Sequence, residues 1–201
     1  MKSPMLLAFI LVIIVIKLKM SQADSSNNKA NKKFWDRENK SMFIRKKSLE
    51  TLDYIHIDSK SLPILQKEYC NEEVYSIQNK VLELIELKIV NFQGKSNTDL
   101  KLEYGTANLD TLTMYEERYI LLIKYIYKWG KALYDDNKID EATLVLELGV
   151  TIKSDISKHY ILLGKLYKIK KDTQSFNSLY SQIQQSEFVF KHKILNSLSS
   201  L

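Results

Sequence analysis

Glycine, proline and cysteine are scarce in this chain. Its 201 residues hold 5 glycines, 2 prolines and 1 cysteine. So few turn-formers argue against an all-β fold and leave helices as the expected architecture. The lone Cys70 excludes an intrachain disulfide and suits a reducing compartment. No histidine or second cysteine stands near it in sequence, so nothing marks it as a nucleophile. His56, His159 and His192 are far apart and lack the spacing that puts two histidines on one metal ion.

Motifs that carry chemistry are also missing. Gly94-Lys95-Ser96 looks like the end of a phosphate-binding loop, but Ile89 stands where that loop needs its first glycine. Asp135, Asn137 and Asp140 resemble a calcium loop only loosely, since Lys138 and Ile139 intervene and the glycine is absent. A solvated turn explains them better. No catalytic, cofactor or metal residue is therefore expected, and the chain does not read as an enzyme.

Cations and one apolar run are what the chain does have. The run is Met5 to Ile16, followed by Lys17 and Lys19. It is shorter than the roughly 20 residues that a membrane span prefers. Lysine side chains reach back to the headgroups, so Ser3 to Met20 is long enough to cross. Lys29, Lys32, Lys33, Arg37, Lys40, Arg45, Lys46 and Lys47 also follow the run. Only Asp24, Asp36 and Glu38 oppose them up to Lys47. That gradient predicts a single-pass anchor over residues 1–20, with the N-terminus outside and the rest in the cytoplasm. A cleaved signal peptide ending at Ser21-Gln22-Ala23 is the alternative, with the same module exported. Abundant Lys, Asn, Ile and Tyr point to an AT-rich coding sequence, which hints at a bacterial source and hence a bacterial cell membrane. The net charge of +6 raises nucleic acid as a partner. Much of the excess lies beside the apolar run, where topology already accounts for it, and this argues against nucleic acid.

Residues 21–64 read as a basic juxtamembrane linker and an extended segment. Residues 21–33 are small and polar, as in a flexible linker. Residues 34–50 mix Phe34, Trp35, Met42, Phe43 and Ile44 with cations. They suit either a segment lying on anionic lipid or a solvated tether. Tyr54, Ile55 and Ile57 are β-prone, and Pro63 holds Leu62 out of the helical region.

From residue 65 to 201 the pattern is helical. Asn71 caps a helix with Glu72 and Glu73 in its first turn, and apolar spacing then runs from Val74 toward Gly94. A short turn fits Asp99 to Tyr104, and a long helix fits Leu112 to Asp136. Gly130 and Gly164 are 34 residues apart, and their surroundings match. Trp129-Gly130, Leu133, Ala142, Leu146 and Gly149 correspond to Leu163-Gly164, Tyr167, Phe176, Tyr180 and Ile183. Ile126 and Tyr160 begin the two sets.

This pattern resembles the tetratricopeptide repeat, a pair of antiparallel helices stacked into a solenoid. Repeats fall at about residues 123–153 and 157–185. Phe176 stands where the family prefers alanine, and Ser154 where it prefers a closing proline. Two repeats are too few to stand alone, so upstream helices and the tail (Phe188, Phe190, Ile194, Leu195, Leu198) are expected to cap them. The expected architecture is thus all-α, a transmembrane helix followed by a tetratricopeptide-like domain at residues 65–201.

The resemblance implies a surface that holds another protein. In the family's register, Lys124, Tyr127, Lys131, Tyr134, Lys158, Ile161, Lys165 and Lys168 line the concave face. The expected function is a membrane-anchored scaffold whose partner is an acidic protein or peptide segment. An ordinary solvated helix face accounts for the same lysines.

Overall fold

The computed structural model describes the backbone from Pro4 to Leu201, with side chains from Ile13 onward except at Ile14, Leu18 and residues 21–27. Among the described residues eight α-helices follow one another: α1 (Pro4–Met42), α2 (Glu72–Ile85), α3 (Asn97–Tyr104), α4 (Leu109–Asp135), α5 (Ile139–Thr151), α6 (Ser157–Ile169), α7 (Thr173–Gln185) and α8 (Lys191–Ser199). The described residues form no strand, only an isolated antiparallel bridge between Tyr54 and Val90. The all-α class read from the sequence therefore holds. The chain divides into two units, residues 1–51 with 94–111 and residues 52–93 with 112–201. Residues 94–111, expected within the domain at 65–201, thus fall in the first unit, and residues 52–64, expected outside it, in the second.

In the first unit α1 packs on α3. Side chains on that face of α1 are paired. Arg37 binds Asp99, and Glu38 binds Lys101 and accepts from Thr98 Oγ1 at 2.7 Å. The Lys101 ammonium, with Thr98, holds the Glu38 carboxyl below its usual range. Asp99 also closes a capping box with Ser96. The Ser96 hydrogen bonds, with help from Arg37, pull its carboxyl down to about 2.

Residues 21–33, expected as a flexible linker, have helical backbone within α1. They contain no glycine or proline, and once a helix is nucleated each further residue costs little. Among the described residues no helix is long and apolar enough to cross a membrane. The run Met5–Ile16, on which the expected anchor rests, lies largely outside the described side chains.

In the second unit α2 is capped as its sequence predicts, with Asn71 accepting from the Val74 N–H at 2.8 Å. It stops at Ile85, well short of Gly94. Ile89, Val90 and Phe92 are β-prone and sit buried in extended chain instead. The Ile55 N–H donates to the Ile89 carbonyl at 2.9 Å. Fully buried Gln78 then holds the next stretch in place. Its amide bonds both the N–H (2.8 Å) and the carbonyl (3.0 Å) of Leu65. Residues 54–65 thus pack along α2 and the 86–93 segment.

The second half of α4 pairs with α5, and α6 pairs with α7. Their signature positions are core. Trp129, Leu133, Ala142, Leu146, Leu163 and Ile183 are all buried, and only Tyr180 is half-buried. The 34-residue spacing recurs in the backbone. The Lys138 N–H donates to the Leu133 carbonyl, and the Asp172 N–H to the Tyr167 carbonyl, both at 2.9 Å. Each bond closes a helix end over a left-handed residue, Asn137 at φ 58° and Lys171 at φ 59°. The junction of α5 and α6 does the same, with Lys153 at φ 62° and Ser154 bonded back to Gly149. Ser154 therefore ends that repeat with a hydrogen bond that proline could not make.

The glycines mark where helices approach. A Cβ on Gly130 would lie 2.7 Å from the Leu146 side chain of α5. One on Gly149 would lie 1.9 Å from the His159 ring of α6. One on Gly164 would lie 2.3 Å from Leu198 of α8 and 3.5 Å from Phe176 of α7. The tightest contact at Gly164 is thus with α8. That helix buries Ile194 and Leu198, while Phe190 just before it is exposed.

Gly149→Ala is expected to destabilise the protein by about 3 kcal/mol, because the rigid imidazole has nowhere to go. Lys171→Gly should stabilise it by about 0.5 kcal/mol, since the relief of left-handed strain exceeds the added chain entropy. Urea unfolding of each variant reads both signs.

Candidate functional site

Residues of α4 and α6 line a cleft of about 220 Å³. Tyr127, Lys131, Tyr134 and Asp135 face it from α4 at i, i+4, i+7 and i+8 spacing. Lys158, Ile161, Leu162 and Lys165 face it from α6 at i, i+3, i+4 and i+7. Leu201 completes the lining. Both helices turn their other faces into the core through Trp129, Leu133, Leu163 and Leu166. What remains toward the cleft is a tyrosine-bearing face of α4 and a lysine-bearing face of α6.

Of the residues expected on the concave face, Tyr127, Lys131, Tyr134, Lys158, Ile161 and Lys165 are brought together here. Lys124 and Lys168 are not. Lys124 lies two turns earlier on α4, about 10 Å from Lys131 along the axis. It lines a separate cavity with Glu116 and Asp155. Lys168 places its ammonium 4.3 Å from the centre of the Phe176 ring, toward α7.

The lysines are not equivalent. Lys131 is ion-paired with Asp135 one turn on, and that carboxylate holds its ammonium above the usual range. The Lys165 Nζ sits 4.8 Å from the Tyr134 ring centre. Among the described residues neither Lys158 nor Lys165 has a carboxylate partner. The uncompensated positive charge of the cleft thus belongs to α6.

A second hollow adjoins the first. It measures about 380 Å³ between α2 and α4 and shares Tyr127, Lys131 and Asp135 with it. Besides Ser76, its further polar lining is Glu73 and Lys80 of α2 and Tyr125 and Lys128 of α4. Lys80 and Lys128 each place Nζ 5.4 Å from the Tyr125 ring centre. The sequence reading missed these four residues. Helix α2 has no 34-residue counterpart, so no register placed it beside α4.

His159 lies beneath the cleft. Its ring is 6.3 Å from that of Tyr127 and is completely buried. A carbonyl only accepts, so Nε2–H donates to the Leu146 carbonyl at 2.9 Å. Nδ1 is buried with no partner among the described residues. Burial pulls the imidazole down to about 4, against the Leu146 hydrogen bond. Among the described residues no group of acids, histidines or cysteines could hold a metal ion.

Compared with protein-family models, curated proteins and solved structures, the chain matches none of them.

The folded His159 titrates below its unfolded value. Between pH about 6.5 and 4 the unfolded chain therefore binds more protons, and stability falls as pH falls through that window. The loss is about 3 kcal/mol in full. His159→Gln keeps a donor for Leu146 but gains no proton. Unfolding free energies from pH 7 to 4 should decline less in the variant than in the parent.

Proposed function

We propose that the second unit is a binding module of tetratricopeptide type that holds an acidic segment of another protein in the α4–α6 cleft. One observation carries this reading. Six of the eight residues chosen by the 34-residue register converge on a single cleft that joins apolar lining to unpaired ammonium groups. Ile161, Leu162 and the tyrosine rings offer apolar contact, and Lys158 and Lys165 offer charge. The matched helix-end turns at Asn137 and Lys171 support the same repeat.

The run Met5–Ile16 would hold this module at a bacterial cell membrane as a single-pass anchor, with the module in the cytoplasm. Support for that part is the excess of cations after the run. A module confined to a surface needs only modest affinity, because tethering raises the effective concentration of its partner.

The test is fluorescence anisotropy with a labelled peptide of alternating Glu and Leu. Lys158→Glu combined with Lys165→Glu should weaken binding at least about tenfold and remove its dependence on salt. Both lysines are exposed, so the unfolding curve should not move. Equal affinity of parent and variant would refute the cleft as the binding site.

A further inference from the structure

The shared lining of the two hollows makes them one groove. Tyr127, Lys131 and Asp135 form the saddle, with the α4–α6 cleft on one side and the α2–α4 hollow on the other. Charge is distributed unevenly along it. At the saddle Lys131 is neutralised by Asp135. On one side Lys158 and Lys165 have no carboxylate partner among the described residues, and on the other the same is true of Lys80 and Lys128. Two centres of positive charge therefore flank a neutral, aromatic middle.

The two centres differ in what surrounds them. The α4–α6 side adds Ile161, Leu162 and Leu201, an apolar seat. The α2–α4 side is more polar, with Glu73 and Ser76, and two ammonium groups lie near its Tyr125 ring. The seams between neighbouring packed helices are about 8–10 Å apart. An extended peptide advances about 3.3 Å per residue. Crossing from one centre to the other thus takes about three residues.

We infer that the groove over α2, α4 and α6 is a two-centre site for an extended peptide with two acidic residues about three positions apart. One carboxylate meets Lys158 and Lys165, beside an apolar side chain seated on Ile161 and Leu162. The other meets Lys80 and Lys128. The intervening residues cross the Tyr127 ring, where the Lys131–Asp135 pair presents no net charge. Glu73, at the edge of the second centre, disfavours a further acidic residue beyond it. This inference rests on the peptide-binding reading above and adds the second centre and the spacing.

Synthetic peptides with one Leu and two Glu, separated by zero to five alanines, test it by anisotropy on the full chain. Affinity should peak with two intervening residues and fall about tenfold at either extreme. Lys80→Gln with Lys128→Gln should weaken the best peptide about tenfold, abolish the spacing preference and leave a one-Glu peptide unaffected. Binding indifferent to spacing, or unchanged in that variant, would overturn the second centre while leaving the α4–α6 cleft in place. Absence of binding by every peptide would overturn both readings. Displacement of the peptides by a short single-stranded DNA that binds tighter, with the same dependence on Lys80 and Lys128, would assign the groove to nucleic acid instead. Thermal unfolding of the variant, expected to match the parent, excludes loss of fold as the cause.

Discussion

A single interlocked contact holds the arrangement of α4, α5 and α6. Leu146 fills the space that a side chain on Gly130 would take, which sets α5 against α4. The carbonyl of the same Leu146 accepts from His159, which ties α6 to α5. The His159 ring in turn fills the space beside Gly149 and underlies Tyr127 at the cleft. Every partner in this chain is rigid or fully packed. A histidine at this position costs desolvation and an unsatisfied nitrogen, and its return is geometry. It fixes the depth at which α6 sits, and with it the distance between the tyrosines of α4 and the lysines of α6.

How much of this was legible in sequence depends on how local each signal is. Helix class and the Asn71 cap follow from spacing and capping residues a few positions apart. The repeat was legible because its glycines and large apolar residues recur at a fixed interval. Two kinds of feature escaped. The end of α2 was misplaced because Ile89, Val90 and Phe92 fit a helical stripe as well as a buried strand-like segment, and only the pairing with Ile55 decides between them. The left-handed turns were hidden because Asn137, Lys153 and Lys171 take positions where glycine would have announced them.

The site was half legible for the same reason. Register places residues on a helix face, so Tyr127 through Tyr134 and Lys158 through Lys165 came out together. It does not say where along the axis a groove opens, so Lys124 fell two turns outside. Nor does it say which side chain a neighbour captures, so Lys168 was lost to the Phe176 ring. The α2 contribution needed tertiary packing that no repeat spacing encodes. His159 read as an isolated histidine without metal spacing, and its structural part depends on a glycine ten residues away on another helix.

Net charge is a poor guide to what this surface binds, because the cations are held in different ways. Lys95, Lys101, Lys131 and Lys170 face carboxylates of the protein itself, and their field is largely spent there. Lys80, Lys128 and Lys165 lie over tyrosine rings instead. A ring restrains the ammonium group without cancelling its charge. On the proposed reading, an arriving carboxylate would meet a cation whose side chain has already given up part of its freedom, and less entropy would be lost on binding. A solvated lysine face would offer the same formal charge but would have to be ordered by the ligand. In the proposed site selectivity would follow from this difference, since only a carboxylate placed at the restrained positions would gain the full interaction.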